Sequence, residues 1–373
     1  MNSRPIAVLL LLTVIIVGVV SCPPVGASRP ASVGVGGSPA HGPAGSRPPV
    51  LVVVNQSSAA SVEIGDYYAK KRQIPAKFVC RLRCTTNEIA SPEDYEKIRA
   101  AIRSYLQKNG LKDKVDYIVL TKGLPVKIQG KDMNFSLDSL LTVMWADSIS
   151  SRFDNPYFRS TGHFRYADQG FYLVTRLDGY TVGEVKGLVD RSLAAKPRRG
   201  LFLFDLDPSR DRNPAFKWVN DSQREAIRLL AARKLVCRGV EEGYPGGEKG
   251  LMGYYTWGSN HPKFDSKKYV GNTYYPGAIA ETVVSTSGRT FNPTKEGQSL
   301  VADLIQSGLT GVKGYAYEPY ATAVARADIL FGRYTSGFNL AESFYAASPY
   351  LHWMDVVVGD PLCAPYAASS KKK

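Results

Sequence analysis

The stretch "PPVLVVVNQSSAASVEIGDYYAKKRQIP", residues 48–75, contains the unit from which the fold is predicted. Val50 to Val54 form an unbroken apolar run, which is typical of a strand buried on both faces of a parallel sheet. The residues from Ser61 onward show helical spacing, and Pro75 stops that pattern. We therefore predict a strand at residues 49–54 and a helix after it, which together form one β–α unit.

The same alternation continues along the chain. Ser91 is placed as the cap of a helix, with Pro92 in its first position and Gly110 after its end, and Thr181 with Glu184 forms a capping-box signature. Further strands are predicted at residues 78–84, 115–121, 170–177, 200–207, 235–240, 251–259, 278–286, 311–320 and 356–358, and further helices at 220–234, 296–308 and 339–348. Such alternation predicts the α/β class, as a three-layer α/β/α sandwich around a mostly parallel sheet. An amino-terminal half is expected over residues 49–180 and a second half over 181–367.

The composition limits the kinds of chemistry to expect. The chain has 373 residues, of which 44% are hydrophobic, enough for a buried core. Its cysteines form no CxxC pair and no zinc spacing with histidine, and neither GxGxxG nor GxxxxGK[ST] is present. We therefore expect no metal and no cofactor.

The net charge of +14 includes the terminal Lys371–Lys373 of a basic tail, residues 368–373, and the remaining cations are scattered along the sequence. This pattern favours a solvated basic surface over a site for a polyanion. No nucleic-acid-binding motif is present, so nucleic acid is not an expected partner.

The amino terminus has the layout of an export signal. Residues 1–22, "MNSRPIAVLLLLTVIIVGVVSC", place an apolar run after one arginine and before Cys22. The preceding Val19-Val20-Ser21 resembles a bacterial lipobox, which predicts lipidation of Cys22 and a membrane-anchored lipoprotein, periplasmic or at the cell surface. Cleavage near Ala27-Ser28 and a retained anchor helix are the alternatives. Residues 23–48 are rich in Pro, Gly, Ala and Ser and are predicted to form a disordered tether.

Hydroxyl residues follow an apolar strand in "AIAETVVSTSGRTF", residues 278–291. Ser285, Thr286 and Ser287 would lie at the carboxyl end of that strand, where α/β enzymes often present a nucleophile. A hydroxyl nucleophile needs an adjacent base, and His261 is the candidate that sequence order offers. We treat all four as candidate catalytic residues, with a surface-loop role as the alternative for His261.

Two acidic stretches have competing interpretations. Asp205, Asp207 and Asp211 in "DLDPSRD" have a spacing that can seat a cation, but an EF-hand's glycine and distal glutamate are missing. We favour a strand end rich in turn-forming residues. Glu318 ends another strand, and its carboxylate is predicted either to face the crevice or to belong to a structural loop.

The strand ends are expected to meet in one crevice, because the carboxyl ends of parallel strands share one edge of the sheet. A polar floor and an aromatic wall are predicted there, suited to a peptide backbone or a sugar. Besides the hydroxyl loop, the expected ligand-binding residues are Lys122, Trp257, Gly258, Ser259, Asn260, Glu318 and Tyr320.

From "FYLVTRLDGYTVGEVKGLVDRSLA" to the carboxyl end, the order of segments resembles the gingipain-type cysteine peptidases, relatives of caspases. Thr175-Arg176-Leu177 corresponds to a turn of that family, and Gly359-Asp360-Pro361 to its closing motif. The resemblance covers residues 170–365 and implies a caspase-like sandwich. Where the family has its histidine the chain reads Trp257-Gly258-Ser259-Asn260, and where it has its cysteine the chain reads Ser285-Thr286.

Nearly the whole chain after the tether also resembles a family of exported bacterial proteins from genomes with the exosortase sorting system. The segments that carry this resemblance include "VVVNQSSAASVEIGDYYAKKRQIP", "GYYTWGSN" and "VVVGDPLCAPY". Together the two resemblances imply a caspase-like fold without its catalytic dyad. Two hypotheses follow: a non-peptidase that binds an extracellular peptide or glycan in envelope assembly, or a hydrolase rebuilt around the Ser/Thr loop.

Overall fold

The computed structural model describes residues 50–146 and 153–367. The predicted signal peptide, the tether, Cys22 and the basic tail lie outside these residues. Among the described helices, none has both the length and the apolar character that a membrane crossing requires.

The main sheet has ten strands in the order β10-β9-β11-β12-β13-β15-β8-β4-β1-β2, and small sheets β14-β7 and β3-β5-β6 flank it. The strands are β1 (Val50–Asn55), β2 (Val79–Leu82), β3 (Ile89–Ala90), β4 (Tyr117–Thr121), β5 (Lys127–Gln129), β6 (Asn134–Ser136), β7 (Phe153–Asp154), β8 (Leu173–Leu177), β9 (Leu201–Asp205), β10 (Cys237–Val240), β11 (Leu251–Thr256), β12 (Tyr274–Thr282), β13 (Gly311–Tyr315), β14 (Tyr350–Leu351) and β15 (Asp355–Val358). In the main sheet the strand pairs are parallel except β13 with β15.

Helices cover both faces of this sheet, as predicted. They are α1 (Ala59–Lys71), α2 (Pro92–Lys108), α3 (Leu137–Thr142), α4 (Tyr166–Gln169), α5 (Val182–Leu193), α6 (Pro214–Ala232), α7 (Ser266–Val270), α8 (Val301–Gln306), α9 (Ala327–Tyr334) and α10 (Leu340–Ala347). Val50, Val52 and Val54 pack in one core and Leu51 and Val53 in another, because successive side chains of a strand point to opposite faces. The three-layer α/β/α fold class is confirmed.

Capping residues near in sequence determine the amino-terminal ends of α2 and α5, as predicted. The Ser91 side chain accepts a hydrogen bond from Asp94 N with Pro92 in the first turn, and Thr181 and Glu184 form the capping box. Other helix boundaries differ from the prediction. Helix α6 begins at Pro214 because the Asn213 side chain caps it.

Two further differences concern the second half. Helix α8 is shorter than the predicted helix at 296–308, and α9 was not predicted. Residues 296–300 instead form a loop, in which the side chain of Gln298 accepts a hydrogen bond from Thr286 and its carbonyl accepts one from Arg289, both after β12.

The carboxyl ends of β4 and β12 face the same region. Lys122, directly after β4, donates from Nζ to the carbonyl of Phe291, which lies after β12, at 3.1 Å. The loops that follow the two halves of the sheet therefore meet at one edge, where the sequence predicted a crevice.

Candidate functional site

A cleft of about 520 Å³ opens where β11, β12 and β13 end. Its floor contains Val283, Val284, Tyr315 and Val324, all of them buried. The prediction of a polar floor is therefore wrong. The two valines that precede Ser285 form the floor, and the polar groups lie around them. The lining residues are Arg210, Ala215, Phe216, Trp257, Asn260, Val283, Val284, Ser285, Tyr315, Glu318, Pro319, Tyr320, Ala321, Thr322 and Val324.

Ser285 is the hydroxyl of the Ser-Thr-Ser loop that lines the cleft. It is half-buried, and its Oγ forms no hydrogen bond with any described residue. A serine nucleophile needs a base within about 2.6–3.2 Å of its oxygen. In the described part of the chain Ser285 is thus open to a ligand but carries no such base.

The other two hydroxyls of the loop are committed to internal hydrogen bonds. Thr286 Oγ1 donates to Gln298 Oε1 at 2.8 Å, and the Ser287 hydroxyl, fully buried, accepts from Thr282 Oγ1 at 2.9 Å. Ser287 is corrected as a candidate nucleophile because solvent cannot reach it. Thr286 is held by the Gln298 amide, and a catalytic role for it stays a prediction.

Gln298 joins the two loops that form one side of the cleft. Its Nε2 donates to Asn260 Oδ1 at 3.1 Å, while its Oε1 accepts from both the backbone N and the hydroxyl of Thr286. The next residue, Ser299, donates to Ser259 Oγ at 3.1 Å. Because consecutive residues hold Thr286 and Ser259, these two predicted site residues lie on the same side of the sheet.

Arg210 adds a cation that the sequence reading did not foresee. Its guanidinium lies 5.2 Å from the ring centroids of both Phe216 and Trp257. It also donates to Asp207 Oδ2 at 3.1 Å and to the carbonyl of Asn260 at 2.6 Å. Two rings and two hydrogen bonds fix this side chain on the cleft wall.

The Trp-Gly-Ser-Asn loop divides between the cleft and its support. Trp257 and Asn260 line the cleft, whereas Ser259 bonds to Ser299 instead. Gly258 has φ +51°, and a Cβ there would lie 2.6 Å from Val284 Cγ2. Glycine is therefore required for the loop to pass under the valine floor, and Gly258 is a support residue rather than a contact for ligand.

Glu318 and Tyr320 stand on the opposite rim, on the segment after β13. Both are exposed, and the Tyr320 ring lies 5.5 Å from that of Trp353. The structure thus brings five predicted residues into one cleft: Trp257, Asn260, Ser285, Glu318 and Tyr320. Their role in ligand binding stays a prediction.

Lys122 is not part of the cleft. Its Nζ pairs with Asp178 Oδ1 at 3.3 Å as well as with the carbonyl of Phe291, so it connects the ends of β4 and β8 to the loop after β12. The expectation that Lys122 contacts ligand is corrected, because burial and internal partners occupy its ammonium group.

His261 lies under the loop and points away from the hydroxyls. Its Nδ1 accepts from Lys263 N at 3.0 Å, so the proton of the neutral ring is on Nε2, which lies 3.5 Å from Asp205 Oδ1. No hydrogen bond joins His261 to Ser285, Thr286 or Ser287 among the described residues. Burial lowers the pKa of His261, which favours the neutral ring. The predicted pairing of His261 with a hydroxyl of the Ser-Thr-Ser loop is therefore absent from the described chain.

The "DLDPSRD" stretch holds turns and ion pairs, as favoured from the sequence. Asp207 caps the turn at Ser209, and Asp211 pairs with Arg224 at 2.7 Å. Asp205 Oδ2 accepts from Trp257 N at 2.9 Å and from Thr256 Oγ1 at 3.0 Å. In the described chain, no cluster of three or more acidic, cysteine or histidine side chains has the geometry of a metal site.

Asp205 supports a prediction about pH. Burial raises the pKa of its carboxyl to about 7, above the unfolded value of about 3.9. The protonated form therefore favours folding, and this contribution is fully present below about pH 4 and is lost as pH rises through about 7. Relative to Asp205→Asn, which does not ionise, we expect the wild-type free energy of unfolding to fall by roughly 1–4 kcal/mol over that range.

Urea unfolding of both proteins across this pH range measures the difference. The lowered pKa of His261 acts in the opposite sense, since the neutral ring is favoured as pH rises through about 6.5, but His261 is present in both proteins. A difference between the two proteins that stays constant with pH would contradict the prediction.

No protein-family model and no curated protein matches this sequence. Among solved structures, one described as "Structure of Protease" is similar at 12% sequence identity, with a TM-score of 0.49, over 86% of this chain and 78% of that chain.

Proposed function

We propose that the protein is a noncatalytic binding protein of the cell envelope, exported and anchored as a lipoprotein, whose cleft holds a segment of an extracellular peptide during envelope assembly. The observation that carries this proposal is the combination found around Ser285. An apolar floor and polar groups on the walls form a cleft large enough for a side chain, and the Ser285 hydroxyl that lines it has no base within hydrogen-bond reach among the described residues.

The apolar floor favours a peptide over a glycan. Val283, Val284 and Val324 would take an aliphatic or aromatic side chain, while the open hydroxyl of Ser285 lies beside them as a hydrogen-bonding group for a peptide backbone. Sugars usually stack on exposed aromatic faces. Trp257 is almost completely buried and presents no such face, whereas Tyr320 on the cleft rim is exposed.

The alternative is a hydrolase built on Ser285. The observation in its favour is that Glu318 lines the same cleft, so a carboxylate and a free hydroxyl share one space. In its present position Glu318 is exposed and forms no hydrogen bond to Ser285 within the described chain. A ligand-induced movement of the rim would be needed to form the pair.

Filling the cleft tests the binding proposal. We expect selection from a phage-displayed library of random peptides to enrich sequences with an aliphatic or aromatic anchor residue. Ser285→Trp places an indole over the valine floor, so it should weaken an enriched peptide by at least about tenfold, which fluorescence anisotropy measures. Ser285→Ala is the matched control and should bind within a few-fold of wild type, because it leaves the floor open.

The same variants separate binding from hydrolysis. We expect a fluorophosphonate probe to leave Ser285 unmodified and the enriched peptides to stay uncleaved. Labelling that disappears in Ser285→Ala would favour the hydrolase alternative. Equal peptide affinity in wild type and Ser285→Trp would rule out the cleft as the binding site.

A further inference from the structure

A second surface lies at the edge of the sheet opposite the cleft. Strands β9, β10, β11 and β12 are parallel neighbours, so their amino-terminal ends share one edge. The connections that enter these strands, residues 193–200, 233–236, 248–250 and 267–275, therefore meet there, and we call them the entry edge. Tyr275 of one connection lies against Gly200 and Gly250 of two others.

The entry edge collects cations that are scattered in the sequence. Eight basic side chains on it are exposed: Lys196, Arg198, Arg199, Arg233, Lys234, Lys249, Lys267 and Lys268. None of the eight forms an ion pair with a described residue, although many basic residues elsewhere in the described chain do. Arg233 donates hydrogen bonds to Gly332 O and Thr335 Oγ1, and Lys268 donates to Tyr244 O, so the other six are the cations without an internal hydrogen bond in the described chain. Glu248 is the acidic residue of these connections, and Arg238 neutralises it. The edge therefore carries a strong net positive charge.

Large apolar side chains are exposed between these cations. The described chain has eight large exposed hydrophobic residues, and four of them belong to the entry edge: Leu193, Val236, Val270 and Tyr275, each 40–51% exposed. A polyanion such as nucleic acid would use the charges but leave these side chains in water. A lipid surface uses both, because basic residues meet anionic head groups and apolar side chains and tyrosine enter the interfacial region.

The ends of the described chain lie on the same side of the molecule. Val50 begins β1 opposite Tyr117, the first residue of β4, so the 49 residues before it depart from the amino-terminal end of the strands. Asp360, after β15, bonds to Arg72 and Ser192 at the ends of α1 and α5. Pro365 then lies against Gly277 of β12. Val50 and Pro365, close to the two ends of the described chain, thus lie on the side that carries the entry edge.

We propose that the entry edge docks on an anionic lipid membrane, with the six cations that have no internal hydrogen bond at the head groups and its four apolar side chains at the interface. Attraction of this kind falls off within a Debye length, so the edge must lie close to the surface and salt must weaken the contact. In this orientation the cleft faces away from the membrane. The inference does not depend on the cleft having a ligand.

Hydrogen–deuterium exchange of the full chain reconstituted on lipid vesicles tests the proposal. We compare vesicles of phosphatidylcholine with vesicles that contain about one third phosphatidylglycerol. On the anionic vesicles, amides of the entry-edge connections should exchange about tenfold more slowly, and high salt should remove the effect. The amino-terminal 49 residues are the same in both samples, so any anchoring through them is held constant.

Two triple variants locate the effect. Lys196→Gln with Arg198→Gln and Arg199→Gln should abolish most of the protection on anionic vesicles. The matched control replaces Lys131, Lys263 and Lys295 by glutamine, three exposed cations outside the entry edge that form no described ion pair. It removes the same charge and should retain the protection. Thermal melting checks that both variants are folded.

Several outcomes would overturn the proposal. Equal exchange on both kinds of vesicle would do so, and so would equal loss of protection in the two triple variants. Protection of these connections by heparin without any effect of anionic vesicles would assign the surface to a soluble polyanion instead. Each of these results leaves the peptide-binding test of the cleft unaffected.

Discussion

Replacement of Arg176 by leucine is expected to lower the free energy of unfolding by about 3–5 kcal/mol. Arg176 is fully buried, and its guanidinium binds Asp138 through Nε at 3.0 Å and Nη2 at 2.7 Å, and Asp178 through Nη1 at 2.9 Å. With leucine at this position, the buried carboxylates of Asp138 and Asp178 would lose the guanidinium that neutralises them. A buried charge without a partner lowers stability. Equilibrium unfolding in urea measures the change.

Two controls assign the effect to the buried charges. Combining Arg176→Leu with Asp138→Asn and Asp178→Asn should recover part of the lost stability, because neutral amides no longer need the cation. Lys71→Leu breaks the exposed pair with Asp190 and should change stability by less than about 1 kcal/mol. A loss below about 1 kcal/mol for Arg176→Leu would show that the network does not support the fold.

The Arg176 network also supports the cleft indirectly. Asp178 accepts from Arg176 and from Lys122, and Lys122 reaches the Phe291 carbonyl in the loop that begins at Ser285. The Thr175-Arg176-Leu177 segment thus has a structural role in this chain. It connects the amino-terminal half of the sheet to the loop that carries the open hydroxyl.

Replacement of Asn55 by alanine is expected to cost about 2–4 kcal/mol. The Asn55 side chain is buried at the end of β1. It donates to the carbonyls of Cys84, Thr85 and Gly123 at 2.8–3.3 Å, and it accepts from the backbone N of Ser57 at 3.0 Å. Alanine would leave these backbone groups without partners at the point where three loops meet.

Asn109→Ala is the matched control for this prediction. Its side chain donates a single hydrogen bond to Tyr105 O at an exposed helix end, so its loss should change the free energy of unfolding by less than about 1 kcal/mol. Asn55→Asp should be no better than Asn55→Ala, because a carboxylate would face three carbonyl oxygens. Similar unfolding midpoints for Asn55→Ala and Asn109→Ala would refute the proposed role of Asn55.

The sequence stretches around Asn55 and Asp360 have structural roles. The "VVVNQSS" stretch ends in an asparagine that joins three loops, and Asp360 of the closing "GDP" binds Tyr68, Arg72 and Ser192. In this chain these motif residues hold the sheet and helices together.

Local chemistry allowed much of the fold to be predicted from the sequence alone. The apolar run of β1, the cap at Ser91 with Pro92 after it, and the Thr181–Glu184 box act within a few residues, so each can be recognised without the rest of the chain. The same reasoning identified the strand ends that carry Trp257, Asn260, Ser285, Glu318 and Tyr320. Their meeting at one edge follows from the parallel order of the strands.

Contacts between residues far apart in the sequence were decided only by the tertiary structure. Arg210 enters the cleft because α6 and the turn before it pack beside the end of β11. Gln298 bonds to Asn260 and Thr286 because residues 296–300 form a loop instead of a helix. Lys122 is removed from the cleft by Asp178, and His261 is directed toward Asp205. The eight cations of the entry edge are dispersed along the chain and become one surface because four parallel strands begin side by side. Sequence spacing records which residues follow one another, whereas these contacts depend on which strands are neighbours in the sheet.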